Sequence, residues 1–267
     1  MSDWQYKPAQ DHALPPMKRL RSERREPGLI SWVSHRVSLR LLRRWMTMYN
    51  RLEVVGAENL PRETPFVMVA NHASHIDALV IASILPDAVL SETFPIAAGD
   101  VFFEVPPLAA FTAAIINALP VWRKKVGRHA LDDLKARLRA GECGYILFPE
   151  GARTRDGVPL PFKPGIGMMV AGSDVPVVPC RLIGAFEAWK PMTFIPRPHK
   201  IRIEVRPAMR FADHPNTREG WNAVSAALRA AIFPEEAAAG VNAGPAPANN
   251  SPDGSAQSSN SDPAKPE

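Results

Sequence analysis

The 267-residue chain is 46% hydrophobic and 22% charged, enough for one sizeable core or two small ones. That composition excludes a collagen, a coiled coil and a wholly disordered chain, and 28 prolines, about 10% against a usual ~5%, disfavour an all-helical bundle. The net charge of +5 is uneven: residues 1–51 hold 11 Lys/Arg and 4 Asp/Glu (+7), residues 235–267 one Lys and five acids (−4), and the stretch between is near neutral at +2. Cys143 and Cys180 are too few for a disulfide framework and fit neither paired zinc ligands nor a redox CxxC, so a reducing compartment is expected.

Residues 1–27 are polar and basic, lack the apolar stretch of a signal peptide, and read as a flexible leader ending at Pro27. Over 28–51 the spacing predicts a basic amphipathic helix. At 100° per residue Val37, Leu41, Leu42, Trp45, Met48 and Tyr49 share a broad face, with Arg36, Arg40, Arg43 and Arg44 opposite. Such a helix suits an anionic lipid interface; it equally fits a surface helix packed on the core. Few polar residues accompany the arginines, which disfavours nucleic acid. The longest uncharged run, 105–122, just reaches span length, but Pro106, Pro107, Pro120 and Asn117 break it into a buried or shallowly inserted segment of about twelve residues, 108–119.

Between 52 and 234 strand-like and helix-like segments alternate. Strands are expected at 66–70, 94–98, 119–122, 144–148, 175–183 and 201–205, and helices at 76–85, 128–140 (stopped by Gly141) and 220–232. The pattern predicts an α/β fold: a mixed, partly parallel sheet flanked by helices, preceded by the amphipathic helix. From 235 the composition turns to Ala, Gly, Pro, Ser and Asn, and 235–267 reads as a disordered tail without catalytic role.

Two segments carry chemistry. Asn71-His72-Ala73-Ser74-His75-Ile76-Asp77 lies where the strand 66–70 gives way to a helix. Ser74 and Asp77 have the spacing of a capping box. His72 can reach Asp77 only by folding back from the loop; a carboxylate on one imidazole nitrogen would leave the other as a base. Alternatively Asp77 only caps the helix, or His72, His75 and Asp77 form a metal site. No GxSxG elbow exists for a serine hydrolase. The second segment, Phe148-Pro149-Glu150-Gly151-Ala152-Arg153-Thr154-Arg155, follows the strand 144–148 and sets two arginines beside a glycine at a strand end, where α/β sheets bind ligands.

Together these segments resemble two motif blocks of the glycerolipid acyltransferases, NHxxxxD and FPEGTRS, with Ala152 for Thr and Thr154 for Ser. Leu119-Pro120-Val121-Trp122-Arg123 resembles the intermediate block ending in a substrate-binding Arg, and Val175-Pro176-Val177-Val178-Pro179 the fourth, apolar block; all four fall in family order across about 53–210. The resemblance implies that 52–234 is an acyltransferase domain moving a fatty acyl group from acyl-CoA or acyl carrier protein to a lysophospholipid hydroxyl. The leading acceptor is 1-acylglycerol-3-phosphate, giving phosphatidic acid. A lyso-ornithine lipid, lysophosphatidylethanolamine or a non-catalytic lipid-binding protein of the same fold are the alternatives. It further implies His72 and Asp77 as catalytic residues, Arg123, Glu150, Gly151, Arg153 and Lys163 as substrate-binding residues, no metal or cofactor beyond the acyl donor, no nucleic-acid partner, and a peripheral or monotopic place on the cytoplasmic face of a membrane.

Overall fold

The computed structural model describes residues 29–98, 119–121, 128–191, 193 and 195–238. The basic leader, Arg123, most of the apolar run 105–122 and residues beyond 238 lie outside the described residues.

Helix α1 (Leu29–Met48) leads into strand β1 (Glu53–Val55), followed by β2 (Phe66–Ala70), α2 (Asp77–Ile84), α3 (Asp87–Leu90), β3 (Thr93–Ala98) and β4 (Leu119–Val121). Then come α4 (Arg128–Arg139), β5 (Gly144–Leu147), α5 (Gly165–Val170), β6 (Val177–Ile183), α6 (Ala185–Ala188), β7 (Arg202–Val205), α7 (Arg218–Ile232) and α8 (Pro234–Ala238). The seven strands among the described residues form one sheet in the order β1-β7-β6-β2-β5-β3-β4. β6, β2, β5, β3 and β4 run parallel, whereas β7 pairs antiparallel with β6 and carries β1 in its own direction. This is the mixed, partly parallel sheet that the alternation predicts.

β2 sits in the middle, with all five residues buried. Side chains alternate across a strand, so Phe66, Met68 and Ala70 pack with Ile146 and Cys180 against α1 and α2, while Val67 and Val69 pack with Tyr145 and Val177 against α4, α5 and α7. Strands buried on both faces read as unbroken apolar runs, which is why FVMVA and GYIL stand out. β1, at three half-exposed residues, and the six-residue α5 have no comparable signal. Gly141 takes φ +78° just beyond α4, as the stop signal requires.

The amphipathic helix differs from its expected faces. Leu39, Leu42 and Met46 enter the core, with Trp45 packed beside them, whereas Val37, Leu41 and Met48 are 49%, 63% and 67% exposed. Of the expected apolar face, Leu42 and Trp45 thus turn to the core together with Leu39 and Met46, which lie outside that face, while Val37, Leu41 and Met48 form an outer stripe. Arg43 also leaves the arginine face: its Nε and Nη2 donate to the carbonyls of Ser83 and Leu85 at 3.0 and 2.7 Å, and Nη1 lies 2.7 Å from Asp87. It caps the carbonyl end of α2; Arg40 and Arg44 remain exposed.

The chain stays helical past the expected start of the tail. Glu235 pairs with Arg181 and Glu236 with Arg229, holding α8 against the domain. No helix among the described residues is long and apolar enough to cross a membrane.

Candidate active site

Because β2 and β5 are parallel neighbours, the loops that leave their carboxyl ends emerge side by side. The first runs from Asn71 to Asp77. Asn71 copies a peptide group: its Nδ2 donates to Leu182 O at 3.0 Å and its Oδ1 accepts from Leu182 N at 2.7 Å, prolonging the contact of β2 with β6. The chain then folds back, so that His72 Nδ1 lies 2.9 Å from Asp77 Oδ2. That same oxygen accepts from the backbone N–H of Ala73 at 2.7 Å and of Ser74 at 2.8 Å.

The expected capping box forms only in part. Asp77 reaches back to Ser74 N, but Ser74 Oγ donates to Trp189 O at 2.6 Å and accepts from Ile76 N at 3.3 Å. Ser74 is thus held both by the start of the helix it precedes and by a distant part of the chain.

Asp77 is fully buried, and its charge sits at the first turn of α2, where the helix dipole favours it. An ionised carboxylate only accepts, so His72 Nδ1 carries the proton and Nε2 is the basic nitrogen. Nε2 has no hydrogen-bond partner among the described residues, and the His72 side chain is 19% exposed. Such an imidazole can take a proton from a hydroxyl placed against it.

The second loop encloses His72. The Phe148 ring stacks on the imidazole at 4.2 Å and 18°. Glu150, 2% exposed, accepts from His72 N at 2.8 Å through Oε1 and from Leu160 N at 2.9 Å through Oε2. Thr154 N donates to His72 O at 3.1 Å. Burial pushes the Glu150 carboxyl up to about 7 despite its two backbone donors.

Gly151 has φ +69°, and a Cβ there would stand 2.8 Å from Lys163 Nζ. The glycine therefore permits both the turn and the passage of Lys163 across it. Arg153 reaches the His75 imidazole, which leans on Trp189 with ring centroids 5.3 Å apart. Burial, then Arg153, then His72 lower His75 from 6.5 to about 4, so it is neutral near pH 7. Ala152, where the family block has Thr, is exposed; Thr154 is buried, and its Oγ1 donates to Asp156 and accepts from Gly157 N.

His72, Asp77, Glu150, Gly151, Arg153 and Lys163 thus gather in one place, and Arg123 lies outside the described residues. Asn71, Thr154 and Trp189 share the site without having been singled out by chemistry, since their contacts are to distant backbone or to another ring. No group of three or more His, Cys, Asp or Glu among the described residues is arranged to hold a metal. A separate cleft of about 580 Å³ lies at the amino ends of β2 and β6, with Arg62, Arg139, Arg210 and Asp174 in its wall; none of the described site residues lines it.

Residues 51–183 match the family model described as Acyltransferase. These residues form a domain of the acyltransferase family. Among its relatives, a 1-acyl-sn-glycerol-3-phosphate acyltransferase of Limnanthes douglasii is 29% identical over 165 residues, 61% of this chain and 56% of that protein. The alpha form of the same enzyme from Mus musculus is 33% identical over 132 residues, 48% and 44% of the two chains. The match thus spans about half the length of these relatives. The crystal structure of the 1-acyl-sn-glycerophosphate acyltransferase PlsC from Thermotoga maritima superposes with a TM-score of 0.58 over 79% of this chain and 80% of that one, at 21% identity, and shares the fold.

Proposed function

We propose that this protein transfers a fatty acyl group from an acyl thioester, on coenzyme A or acyl carrier protein, to the free hydroxyl of 1-acylglycerol-3-phosphate, giving phosphatidic acid. The observation that carries this reading is the His72–Asp77 pair at 2.9 Å, with Nε2 unpartnered among the described residues, at the carboxyl end of the sheet. His72 Nε2 takes the acceptor hydroxyl proton as that oxygen attacks the thioester carbonyl. The tetrahedral intermediate collapses with cleavage of the C–S bond, and the imidazolium returns its proton to the departing thiolate. Ester and thiol are the products, and no acyl-enzyme forms. Asp77 holds the tautomer and stabilises the imidazolium.

Arg153 and Lys163, with Arg123, are assigned to the acceptor phosphate, and Gly151 to the space that Lys163 crosses. Charge-assisted bonds to a phosphate fix the distant hydroxyl in place. This choice of cations favours a phosphate-bearing acceptor over a lyso-ornithine lipid. The names of the relatives support the same acceptor.

The acceptor and product reside in bilayers, and we assign membrane contact to the outer stripe of α1, Val37, Leu41 and Met48, beside Arg40 and Arg44. The protein then sits on the cytoplasmic face as a peripheral or monotopic protein. The test supplies purified full-length chain with acyl-CoA or acyl carrier protein and a panel of lysolipids. Phosphatidic acid formed in preference to other products is the expected result. Absence of transfer to every lysolipid from both donors overturns the reading.

A further inference from the structure

We infer that Glu150 is a positioning residue that holds the His72 loop, and that it does not contact the acceptor. This rests on the proposed acyl transfer by His72. Both carboxylate oxygens are committed to backbone donors, His72 N at 2.8 Å and Leu160 N at 2.9 Å, and the residue is 2% exposed. Each oxygen keeps a further lone pair, but at 2% exposure an acceptor hydroxyl has no open approach to it. The two donors belong to segments 88 residues apart in sequence (72 and 160). Glu150 therefore acts as a strut across the site.

Three contacts from one short segment converge on His72. Glu150 takes its N–H, Thr154 N donates to its C=O, and the Phe148 ring lies flat on its imidazole. Asp77 sets the tautomer, but a single bond at Nδ1 leaves the ring free to swing with its backbone. With the peptide groups on both sides of His72 tied down and one ring face covered, Nε2 is restricted to one direction. Base catalysis depends on such placement.

The chemistry of the strut also predicts which substitution fails. Glu150→Gln keeps the volume, but a carboxamide offers one acceptor oxygen and one NH2 donor. Whichever way it turns, NH2 faces a backbone N–H, so one anchor is lost. Glu150→Asp is a methylene shorter and cannot span both donors. A residue in contact with the acceptor, in contrast, would tolerate Gln, whose oxygen can still accept a hydrogen bond from a hydroxyl.

The experiment has two arms on the full-length protein. In the first, acyl-CoA and 1-acylglycerol-3-phosphate in mixed micelles are the substrates, and unfolding of each variant is followed by heat. Glu150→Gln should lower kcat at least ~30-fold while acceptor KM stays within about twofold. A tenfold rise in acceptor KM with kcat retained overturns the proposal.

The second arm needs no variant and no turnover, so it stands if Glu150→Gln does not fold or if the protein acylates a different acceptor. The amide protons of His72 and Leu160, both bonded to one carboxylate, should resonate downfield in the wild-type protein and shift together through a single titration. Addition of lysolipid should leave that titration in place. Independent titration of the two amides, or loss of the shared response when lysolipid binds, overturns the strut. If the wild-type protein transfers no acyl group while the amides titrate together, the proposed activity fails and the strut survives.

Discussion

Val69 and Leu147 are register partners across the parallel strands β2 and β5, and His72 and Glu150 each lie three residues further along. The offset of 78 residues continues past the strands: it relates His72 to Glu150 and also His75 to Arg153. Two motifs far apart in sequence therefore meet because parallel neighbours discharge their loops at the same edge.

The first prediction separates chemistry from scaffolding in the His72–Asp77 pair. His72→Ala should lower turnover at least ~10²-fold and leave the fold intact, because its imidazole bonds only to Asp77 among the described residues. Asp77→Ala should lower turnover similarly but also destabilise. It strips the acceptor from Ala73 N and Ser74 N, and each buried N–H left bare costs about 1–3 kcal/mol. Thermal unfolding beside kinetics checks this. A His72→Ala protein that keeps most of its turnover removes the base.

Stability against pH should reveal two titrations of opposite sign. Glu150, raised from 4.5 to about 7, binds a proton in the folded state that the unfolded chain releases, so its share of stability falls as pH rises through that window. The full span is worth about 3 kcal/mol for a group this buried. His75, lowered from 6.5 to about 4, contributes stability that is present above 6.5 and lost as pH falls toward 4. His75 is partly exposed and solvent screens it, so the Glu150 effect is the larger. Between pH 5 and 7.5 the wild-type protein should therefore lose a little stability, His75→Gln should lose more, and Glu150→Gln should gain. Urea midpoints across that range decide it; three parallel curves would remove both assignments.

Gly151→Ala should act through Lys163. Its φ of +69° makes a Cβ cost roughly 1–2 kcal/mol, and that Cβ would meet Lys163 Nζ at 2.8 Å, pushing the ammonium aside. Acceptor KM should rise as it does for Lys163→Ala, and the double variant should show little further rise. Additive effects would mean that the two residues work separately.

Much of this architecture was legible because it is written in local periodicity. FVMVA and GYIL are apolar without alternation, and RHALDDLKARLR closes on a glycine, so their boundaries lie within a residue or two of those expected. The site was legible as two motifs, but the direction of each side chain was not. The charge of Glu150 points toward substrate in the sequence, but its hydrogen-bond partners among the described residues are two peptide N–H groups, which leave no trace in sequence. The spacing of Ser74 and Asp77 suggests a local cap, yet the Ser74 hydroxyl donates to Trp189 O, 115 residues away. In α1 the periodicity showed apolar and basic residues but could not say which stripe meets the core, because both stripes are apolar. Burial of Leu39, Leu42 and Met46 settles that.

Arg153 is assigned to the acceptor phosphate with His75 beneath it. Arg153→Ala removes a charge-assisted contact worth about 1.5–3 kcal/mol, so acceptor KM should rise roughly 10- to 150-fold. His75→Ala should raise the same constant less, since it loosens Arg153 without removing its charge, and should leave donor KM unchanged. A rise confined to the donor would move this arginine to the carrier phosphates.

The last prediction concerns how α1 meets lipid. Val37, Leu41 and Met48 fall within about 40° of one another at 100° per residue, on the side opposite Leu39, Leu42 and Met46, and all three are exposed. Arg40 and Arg44 border one side of this stripe, while Arg43 is spent on Ser83 O, Leu85 O and Asp87. Binding to anionic vesicles should then combine apolar burial, at about 25 cal/mol per Å², with about 1 kcal/mol for each basic residue near the surface. Replacing Val37, Leu41 and Met48 by Ser should abolish vesicle pelleting and leave the unfolding temperature nearly unchanged, whereas Leu42→Ser should lower that temperature through the core. Arg44→Ala should weaken pelleting by about 1 kcal/mol, an effect that fades at high salt as screening shortens to about 3 Å at 1 M. Arg43→Ala should cost stability instead, because it uncaps α2. Turnover of bilayer-embedded lysolipid should fall with pelleting, and that of a short-chain, water-soluble acceptor should not. If the triple serine variant pellets as well as the wild-type protein, the outer stripe of α1 is not the anchor.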